Sequence, residues 1–237
     1  MKRVGLIIPS VNTMVEDEML GVFPAAIQTH ITRLRMTGPH RRPLKETLPQ
    51  IRDAAAALVD AGCELVVFHC TANSTDDGAA GEQAILTAIQ EAGAHSASST
   101  ATALRLALSA LGGRTLALVT PYTQDMTDHE TEFLREIGQT VIYAKGCDVG
   151  RANYAKMAPD FWAERLEEAG PSAPDVYFLS CANVAAMAAI EPAERALGRP
   201  VITSNQVVVW DAVRTLLGQT CGHGPGLLFD TQASQSS

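Results

Sequence analysis

Two cysteines, Cys70 and Cys181, stand in matching positions, each after an apolar run and before a short polar turn. An ionised thiol is a nucleophile, and a neutral thiol can donate a proton. Two thiols on opposite sides of one cleft could transfer protons at both faces of a carbon atom. They could equally attack one face and protonate the other. The pattern therefore predicts paired acid–base residues in an enzyme that needs no cofactor.

The surroundings of the two cysteines form a faint internal repeat. Residues 61–73 and 173–183 both contain an apolar strand that leads into a cysteine, with an asparagine close behind it. Residues 4–10 and 116–122 match more loosely, as strands that end in small polar residues and proline. A single cysteine at a strand end is usually a core residue. The matched pair of settings favours a chemical role instead.

The other cysteines do not share this setting. Cys63 precedes its strand and is interpreted as structural, Cys147 falls in a loop, and Cys221 lies near the end of the chain. His69 could act as a base beside Cys70. Neighbouring residues of a strand point to opposite faces, however, which argues against a histidine and a cysteine in the same cleft.

Strand-like and helix-like segments alternate along the chain, which is typical of parallel sheets covered by helices on both faces. The predicted strands are 4–8, 31–36, 65–68, 115–119, 141–144, 176–179 and 201–203. The predicted helices are 48–61, 81–92, 100–111, 125–137, 159–169, 184–197 and 206–217. We therefore expect an α/β fold of two similar lobes, related by a pseudo-twofold axis, with the active site in the cleft between them.

The pair Gly112-Gly113 marks the expected boundary between the lobes. It gives an N-terminal lobe of residues 1–112 and a C-terminal lobe of residues 113–204, with residues 205–237 crossing back to the first lobe. Ligands of parallel sheets bind beyond the carboxyl ends of the strands, where both cysteines are predicted. The turns there offer hydroxyl, amide and backbone N–H donors for a carboxylate, from Thr71, Ala72, Asn73, Ser74, Ala182 and Asn183.

Composition excludes several classes of protein. The 237 residues are 46% hydrophobic and 19% charged, as in a globular protein, and the net charge of −8 argues against a nucleic-acid partner. No apolar stretch reaches the roughly 18 residues of a membrane span, and no signal peptide is evident, so we expect a cytoplasmic protein. Five unpaired cysteines are then thiols, and no ligand spacing suggests a metal.

Five segments carry a resemblance to a known family: residues 4–13 with Glu16, the Cys70 turn, and residues 118–122, 179–181 and 210–214. In their order and spacing they resemble the aspartate/glutamate racemase superfamily, in the branch of maleate cis–trans isomerases and arylmalonate decarboxylases. The resemblance spans nearly the whole chain. It implies a small carboxylate substrate, no cofactor and a homo-oligomer.

The resemblance also implies roles for individual residues. Cys70 corresponds to a thiolate that adds to the substrate double bond, and Cys181 to the acid–base that moves a proton at the neighbouring carbon. Asn12 would orient the first cysteine and a substrate carboxylate. Tyr122 would donate its hydroxyl to a carboxylate, and Asn153 would close over the bound acid.

The sequence departs from the isomerases of this branch in two places. Residues 71–75 form a polar turn where typical maleate isomerases have an apolar one, and residues 182–187 differ from the maleate pattern. Residues 210–214 are closer to the decarboxylases, which lack the first cysteine. We therefore expect an isomerase of a small (di)carboxylate, with maleate to fumarate as the best guess. The alternatives are a racemase or epimerase of an amino-acid or hydroxy-acid derivative, an arylmalonate-type decarboxylase, and a non-catalytic metabolite-binding protein.

Overall fold

The computed structural model describes residues 1–36, 43–218 and 224–231, which contain two four-stranded parallel sheets flanked by helices. The first sheet consists of Lys2–Pro9 (β1), Ile27–Leu34 (β2), Leu65–Phe68 (β3) and Ser96–Ser99 (β4). The second consists of Thr115–Thr120 (β5), Thr140–Gly146 (β6), Val176–Leu179 (β7) and Val201–Thr203 (β8). The α-helices are Val15–Met19 (α1), Leu44–Asp60 (α2), Thr71–Thr75 (α3), Gly78–Glu91 (α4), Thr100–Leu111 (α5), Gln124–Glu136 (α6), Pro159–Glu168 (α7), Met187–Leu197 (α8) and Ser204–Leu217 (α9). Short 3-10 helices span Arg151–Lys156, Gly170–Ser172 and Leu227–Asp230.

The two sheets repeat one strand order. The first runs β2-β1-β3-β4 and the second β6-β5-β7-β8, so β3 and β7 occupy equivalent positions. Cys70 lies two residues beyond the end of β3, and Cys181 lies two residues beyond the end of β7. The predicted α/β fold with two similar parallel sheets is confirmed, and the sequence repeat reflects it.

Continuous apolar runs account for the strands that were predicted with correct bounds. The strands β3, β7 and β8 are fully buried, so both of their faces carry apolar side chains. The strand expected at 31–36 runs instead over Ile27–Leu34, which extends its pairing along the whole of β1.

One strand and two α-helices escape the sequence patterns, as do the three 3-10 helices. Strand β4 reads Ser-Ala-Ser-Ser, and its buried hydroxyls are satisfied by distant carboxylates: Ser98 bonds Asp211 and Ser99 bonds Glu82. The helices α1 and α3 have five residues each, too short to show a helical period.

Helix α8 was predicted, but it begins at 187 and not at 184, because a carboxyl oxygen of Glu18 accepts the backbone N–H groups at its start.

Helix α9 brings the two sheets together. It contacts α5, α1 and β3, and it also contacts β8, which it directly follows in the sequence. A capping box between Thr203 and Gln206 sets its first turn. The division at 112/113 and the return of residues 205–237 to the first lobe stay predictions, and residues 219–223 and 232–237 lie outside the described ranges.

The interior is built from strand residues and large aromatic side chains. Trp162, Trp210, Tyr177 and Phe68 are each almost fully buried, so Trp210 is a core residue and not an exposed stacking surface. Within the described ranges, no helix is both long and apolar enough to cross a bilayer.

Candidate active site

A cleft with a cavity volume of about 90 Å³ lies at the carboxyl ends of the two sheets. The predicted site residues that line it are Asn12, Cys70, Thr71, Ala72, Tyr122, Cys181, Ala182 and Asn183. Asn73, expected among the turn donors, lines it too. Five further lining residues were not assigned to the site by the sequence patterns: Pro9, Val11, Met36, Arg151 and Tyr154. The structure therefore brings both cysteines and both polar turns to one cavity.

Cys70 occupies the position before α3 and is buried in the cleft wall. Its Sγ donates to Asn73 Oδ1 at 3.2 Å. A cysteine before a helix predicts a lowered thiol pKa. That expectation is wrong for Cys70: burial raises its pKa to about 11, although the Asn73 N–H and Arg151 act in the opposite direction. Helix α3 has only five residues and does not outweigh the loss of water.

We expect iodoacetamide to label Cys70 slowly at neutral pH and progressively faster as the pH rises toward the thiol pKa of about 11, because only the thiolate reacts. Peptide mass spectrometry between about pH 6 and pH 10 measures the labelling rates of Cys70 and of Cys147 in one sample. The partly buried Cys147 serves as the internal comparator. A Cys70 rate that is already at its plateau near neutral pH would show that the thiolate is far more stable than its burial implies.

Cys181 is held in a backbone conformation that side chains rarely adopt. Its φ is 107°, in the region that favours glycine, and such strain persists only where the surroundings impose it. Its backbone N–H donates to Ser204 Oγ at 3.0 Å, and the Asn183 N–H donates to its Sγ at 3.4 Å. Burial raises the pKa of Cys181 to about 12, although a hydrogen bond from Tyr122 lowers it.

Ser204 connects the two cysteine turns. Its Oγ accepts the Thr71 hydroxyl at 2.9 Å as well as the Cys181 N–H. Thr71 follows the first cysteine, and all three residues are buried. One hydroxyl on α9 therefore fixes the position of each cysteine relative to the other.

Asn12 makes a second connection, with a partner other than the one expected. Its Nδ2 donates to Ala182 O at 2.9 Å, and its Oδ1 accepts the N–H groups of Met14 and Val15. The side chain thus holds the turn after Cys181 and the start of α1. Asn12 lines the cleft, but among the described contacts it makes no hydrogen bond with Cys70.

The 3-10 helix Arg151–Lys156 forms one side of the cleft. Residues three apart eclipse one another in a 3-10 helix, so Arg151 and Tyr154 face the cavity together. Asn153 lies between them and does not line the cavity. Its Nδ2 donates to Val149 O at 2.9 Å, away from the position expected for a residue that closes over an acid. The spacing of an arginine and a tyrosine by three residues was the signal available in the sequence.

Two tyrosines pack together beside Cys181. The rings of Tyr122 and Tyr154 meet edge to face with centroids 5.7 Å apart. Burial raises the pKa of Tyr122 well above its ordinary value, and the charges of Cys181 and Glu130 raise it further. The Tyr122 hydroxyl is therefore a donor at all ordinary pH values.

His69 belongs to the structure behind the site. Its ring nitrogens contact Thr100 Oγ1 at 3.0 Å and Asn205 Oδ1 at 2.9 Å, and the side chain is fully buried. Burial lowers its pKa to about 4, so the imidazole is neutral at physiological pH. Cys221 lies outside the described residues. Among those described, no cluster of three His, Cys, Asp or Glu side chains is placed to hold a metal.

This arrangement suits chemistry on an acid. Backbone N–H groups at two turns, a tyrosine hydroxyl and a guanidinium can bind an anion. Two thiols on the same cavity can attack and transfer protons.

Comparisons with known proteins identify relatives of this chain. A family model described as arylmalonate decarboxylase matches residues 4–229. The arylmalonate decarboxylase of Bordetella bronchiseptica is 32% identical over 191 residues, covering 77% of this chain and 78% of that protein. The maleate isomerase of Geobacillus stearothermophilus is 26% identical over 234 residues, covering 90% and 91%. A solved mutant of Nocardia farcinica maleate cis–trans isomerase, with a covalently bound succinylcysteine intermediate, has a TM-score of 0.86 at 25% identity, covering 96% and 98%.

Proposed function

Because the chain belongs to the arylmalonate decarboxylase family, we propose that it is a two-cysteine cis–trans isomerase of a small dicarboxylate, with maleate as substrate and fumarate as product. The observation that carries this proposal is that Cys70 and Cys181 line one cleft. A decarboxylation needs one proton donor, whereas addition to a double bond followed by proton transfer uses two groups. The succinylcysteine of the Nocardia farcinica enzyme is the adduct that such an addition would produce.

The proposed reaction proceeds by addition and elimination. The thiolate of Cys70 forms a C–S bond to one alkene carbon, and the π electron pair moves to the neighbouring carbon. Cys181 donates a proton to that carbon and becomes a thiolate. The former double bond is now single and rotates. Cys181 then removes a proton from the same carbon, the electron pair re-forms the double bond in the trans geometry, and the C–S bond breaks to release the Cys70 thiolate.

The groups around the thiols match a substrate with two carboxylates. We assign one carboxylate to the backbone N–H groups of the two turns and to Tyr122, whose donors stabilise the charge that develops during addition. Arg151 is the group on the cleft wall that offers a full positive charge to the other carboxylate. Burial raises the pKa of Cys70 to about 11, so its thiolate is the minor form at neutral pH, and the Arg151 guanidinium favours that form.

One observation favours a second candidate, decarboxylation of an arylmalonate. The relative with 32% identity carries that name. In this case Cys181 alone would protonate the carbanion left by loss of carbon dioxide, and Cys70 would be dispensable.

A substrate screen on the purified protein separates these functions. Maleate, phenylmalonate and amino-acid derivatives are incubated in deuterated buffer with the wild type and with Cys70→Gly, and products are followed by NMR. We expect fumarate from maleate with the wild type and none with the variant. Release of carbon dioxide from phenylmalonate by both proteins would contradict the isomerase proposal and indicate a decarboxylase. Deuterium exchange at the α-carbon of an amino acid, with no isomerisation of maleate, would indicate a racemase instead.

A further inference from the structure

A buried carboxyl group lies directly behind the second cysteine. Glu130, on α6, is 3% exposed, and its Oε1 accepts the hydroxyl of Ser180 at 2.6 Å. Ser180 is the residue before Cys181. The other oxygen, Oε2, is buried and has no hydrogen-bond partner among the described residues. A carboxyl group that is half satisfied and desolvated is costly to keep unless it has a use.

A small second pocket lies between Glu130 and the cleft wall. Its cavity volume is about 10 Å³, and two of its lining residues, Tyr122 and Ala72, also line the cleft. Asp76 and His129 lie on its other sides. The carboxyl group is therefore close enough to act on the cleft through its charge while it does not line the cleft itself.

The positive charge is on the other side of the site. Arg151 is the one charged side chain among the described residues that line the cleft, and its Nη2 donates to Met36 O at 3.3 Å. Burial is the largest influence on both thiols. Beyond it, the Asn73 N–H and the Arg151 charge lower the pKa of Cys70, and the Asp76 charge raises it. Hydrogen bonds from Tyr122 and the Asn183 N–H lower the pKa of Cys181, and the charges of Cys70 and Glu130 raise it. The Arg151 charge therefore favours the Cys70 thiolate and the Glu130 charge disfavours the Cys181 thiolate, while Asp76 acts against the first of these effects.

We propose that Glu130 and Arg151 give the two cysteines their different roles: the carboxyl group behind Ser180 keeps Cys181 a thiol and hence a proton donor, and the guanidinium favours the nucleophilic thiolate of Cys70. Glu130 is a positioning residue, because it acts through Cys181 and does not touch the substrate. The names of the two roles rest on the proposed isomerase function. The opposite polarisation of the thiols does not, and it can be measured without substrate.

The charge of Glu130 itself depends on pH. Burial raises its pKa to about 7, although the Ser180 hydroxyl lowers it, so its negative charge grows as the pH rises through neutrality. The groups that face it are Asp76, His129, Tyr122 and Cys181. Asp76 also acts on Cys70, where its charge raises the thiol pKa. All of these groups remain in a Glu130→Gln variant, so a difference between variant and wild type reports on the Glu130 charge.

The first experiment measures alkylation of Cys181 by iodoacetamide, a neutral reagent that is not steered by charge, in wild type and Glu130→Gln. We expect Cys181 to be labelled about three- to ten-fold faster in the variant at about pH 8.5, corresponding to a pKa change of about half a unit to one unit, and nearly equally at about pH 5.5. An increase of the same size at both pH values would indicate a loosened structure and would overturn the proposal, as would no increase at all.

The matched control is Glu82→Gln. Glu82 is also a buried carboxylate that accepts serine and threonine hydroxyls, from Ser99 and Thr102, but it lies away from the cleft wall. We expect its replacement to leave the labelling rates of both cleft cysteines unchanged. A comparable rise of the Cys181 rate in this control would count against the specific effect of Glu130.

A second arm tests the arginine and does not depend on the folding of the Glu130 variant. Arg151→Gln is expected to slow labelling of Cys70 about three- to ten-fold at every pH, because a guanidinium stays charged throughout. The control Lys156→Gln, at the exposed end of the same 3-10 helix, should leave this rate unchanged. Faster labelling of Cys70 in Arg151→Gln would contradict the proposal.

The labelling result and the activity result can fail separately. If both labelling shifts occur but no dicarboxylate is isomerised, the proposed function fails and the polarisation of the thiols stands. If maleate is isomerised while Glu130→Gln leaves Cys181 labelling unchanged, the inference fails and the proposed function stands.

Discussion

Serine in place of either cleft cysteine is expected to reduce turnover of maleate by about a thousand-fold or more, but with different products on the enzyme. A serine hydroxyl is a much weaker nucleophile than a thiolate, so Cys70→Ser should form no covalent adduct. Cys181→Ser keeps the nucleophile, and water or the serine hydroxyl can still protonate the carbanion, but the variant lacks the thiolate that removes the proton before elimination. We expect it to accumulate an adduct on Cys70 with the mass of one substrate molecule, seen by intact-protein mass spectrometry.

The matched control for this prediction is Cys63→Ser. Cys63 is also buried, but it belongs to the hydrophobic core beside the first sheet and does not line the cleft. Its replacement should keep turnover within about two-fold of the wild type, since the substitution is distant from the reacting atoms and leaves their surroundings unchanged. An adduct on Cys181, or full activity of Cys70→Ser, would show that Cys70 is not the nucleophile.

Ser204→Ala is expected to lower turnover by about ten- to a hundred-fold and the free energy of unfolding by about 1–3 kcal/mol. The substitution leaves the Cys181 N–H, buried and at a strained φ of 107°, without its acceptor. It also removes the acceptor of the Thr71 hydroxyl, so both cysteine turns lose the group that fixes their relative position. Steady-state kinetics and denaturant unfolding of the same preparation measure the two effects.

Ser98→Ala separates positioning from simple stability. Ser98 also makes a buried hydrogen bond across the fold, from its Oγ to Asp211 at 2.7 Å, but it does not line the cleft. We expect a similar loss of stability and unchanged kcat. Should Ser204→Ala lose stability and keep its kcat, as the control does, the serine would have a structural role alone.

Local patterns were sufficient for most of the fold. The strands Leu65–Phe68 and Val176–Leu179 and the helix Thr100–Leu111 have the predicted bounds, because continuous apolar runs and helical spacing are properties of neighbouring residues. Strand Ser96–Ser99 has no such signal. It is defined by its pairing with β3 and by carboxylates that are distant in sequence, and no local pattern encodes those contacts.

The site was predictable to a similar extent. Cys70, Cys181 and their turns were found because each is a local sequence of strand, thiol and polar turn, repeated once. Arg151 and Tyr154 were missed because they depend on which face of a 3-10 helix meets the cavity. Glu130 was missed because its position behind Ser180 is a contact across 50 residues of sequence.

The sequence by itself determined that two thiols follow two equivalent buried strands. Only the tertiary structure decided that they share one cleft and that Asn12 holds the Cys181 turn. It also decided that the pKa of both thiols is raised by burial, although the position of Cys70 before a helix predicts a lowered one. The physical reason is that strand formation depends on neighbouring side chains. The ionisation of a thiol depends on lost water and on charges that the fold brings near it from distant parts of the chain.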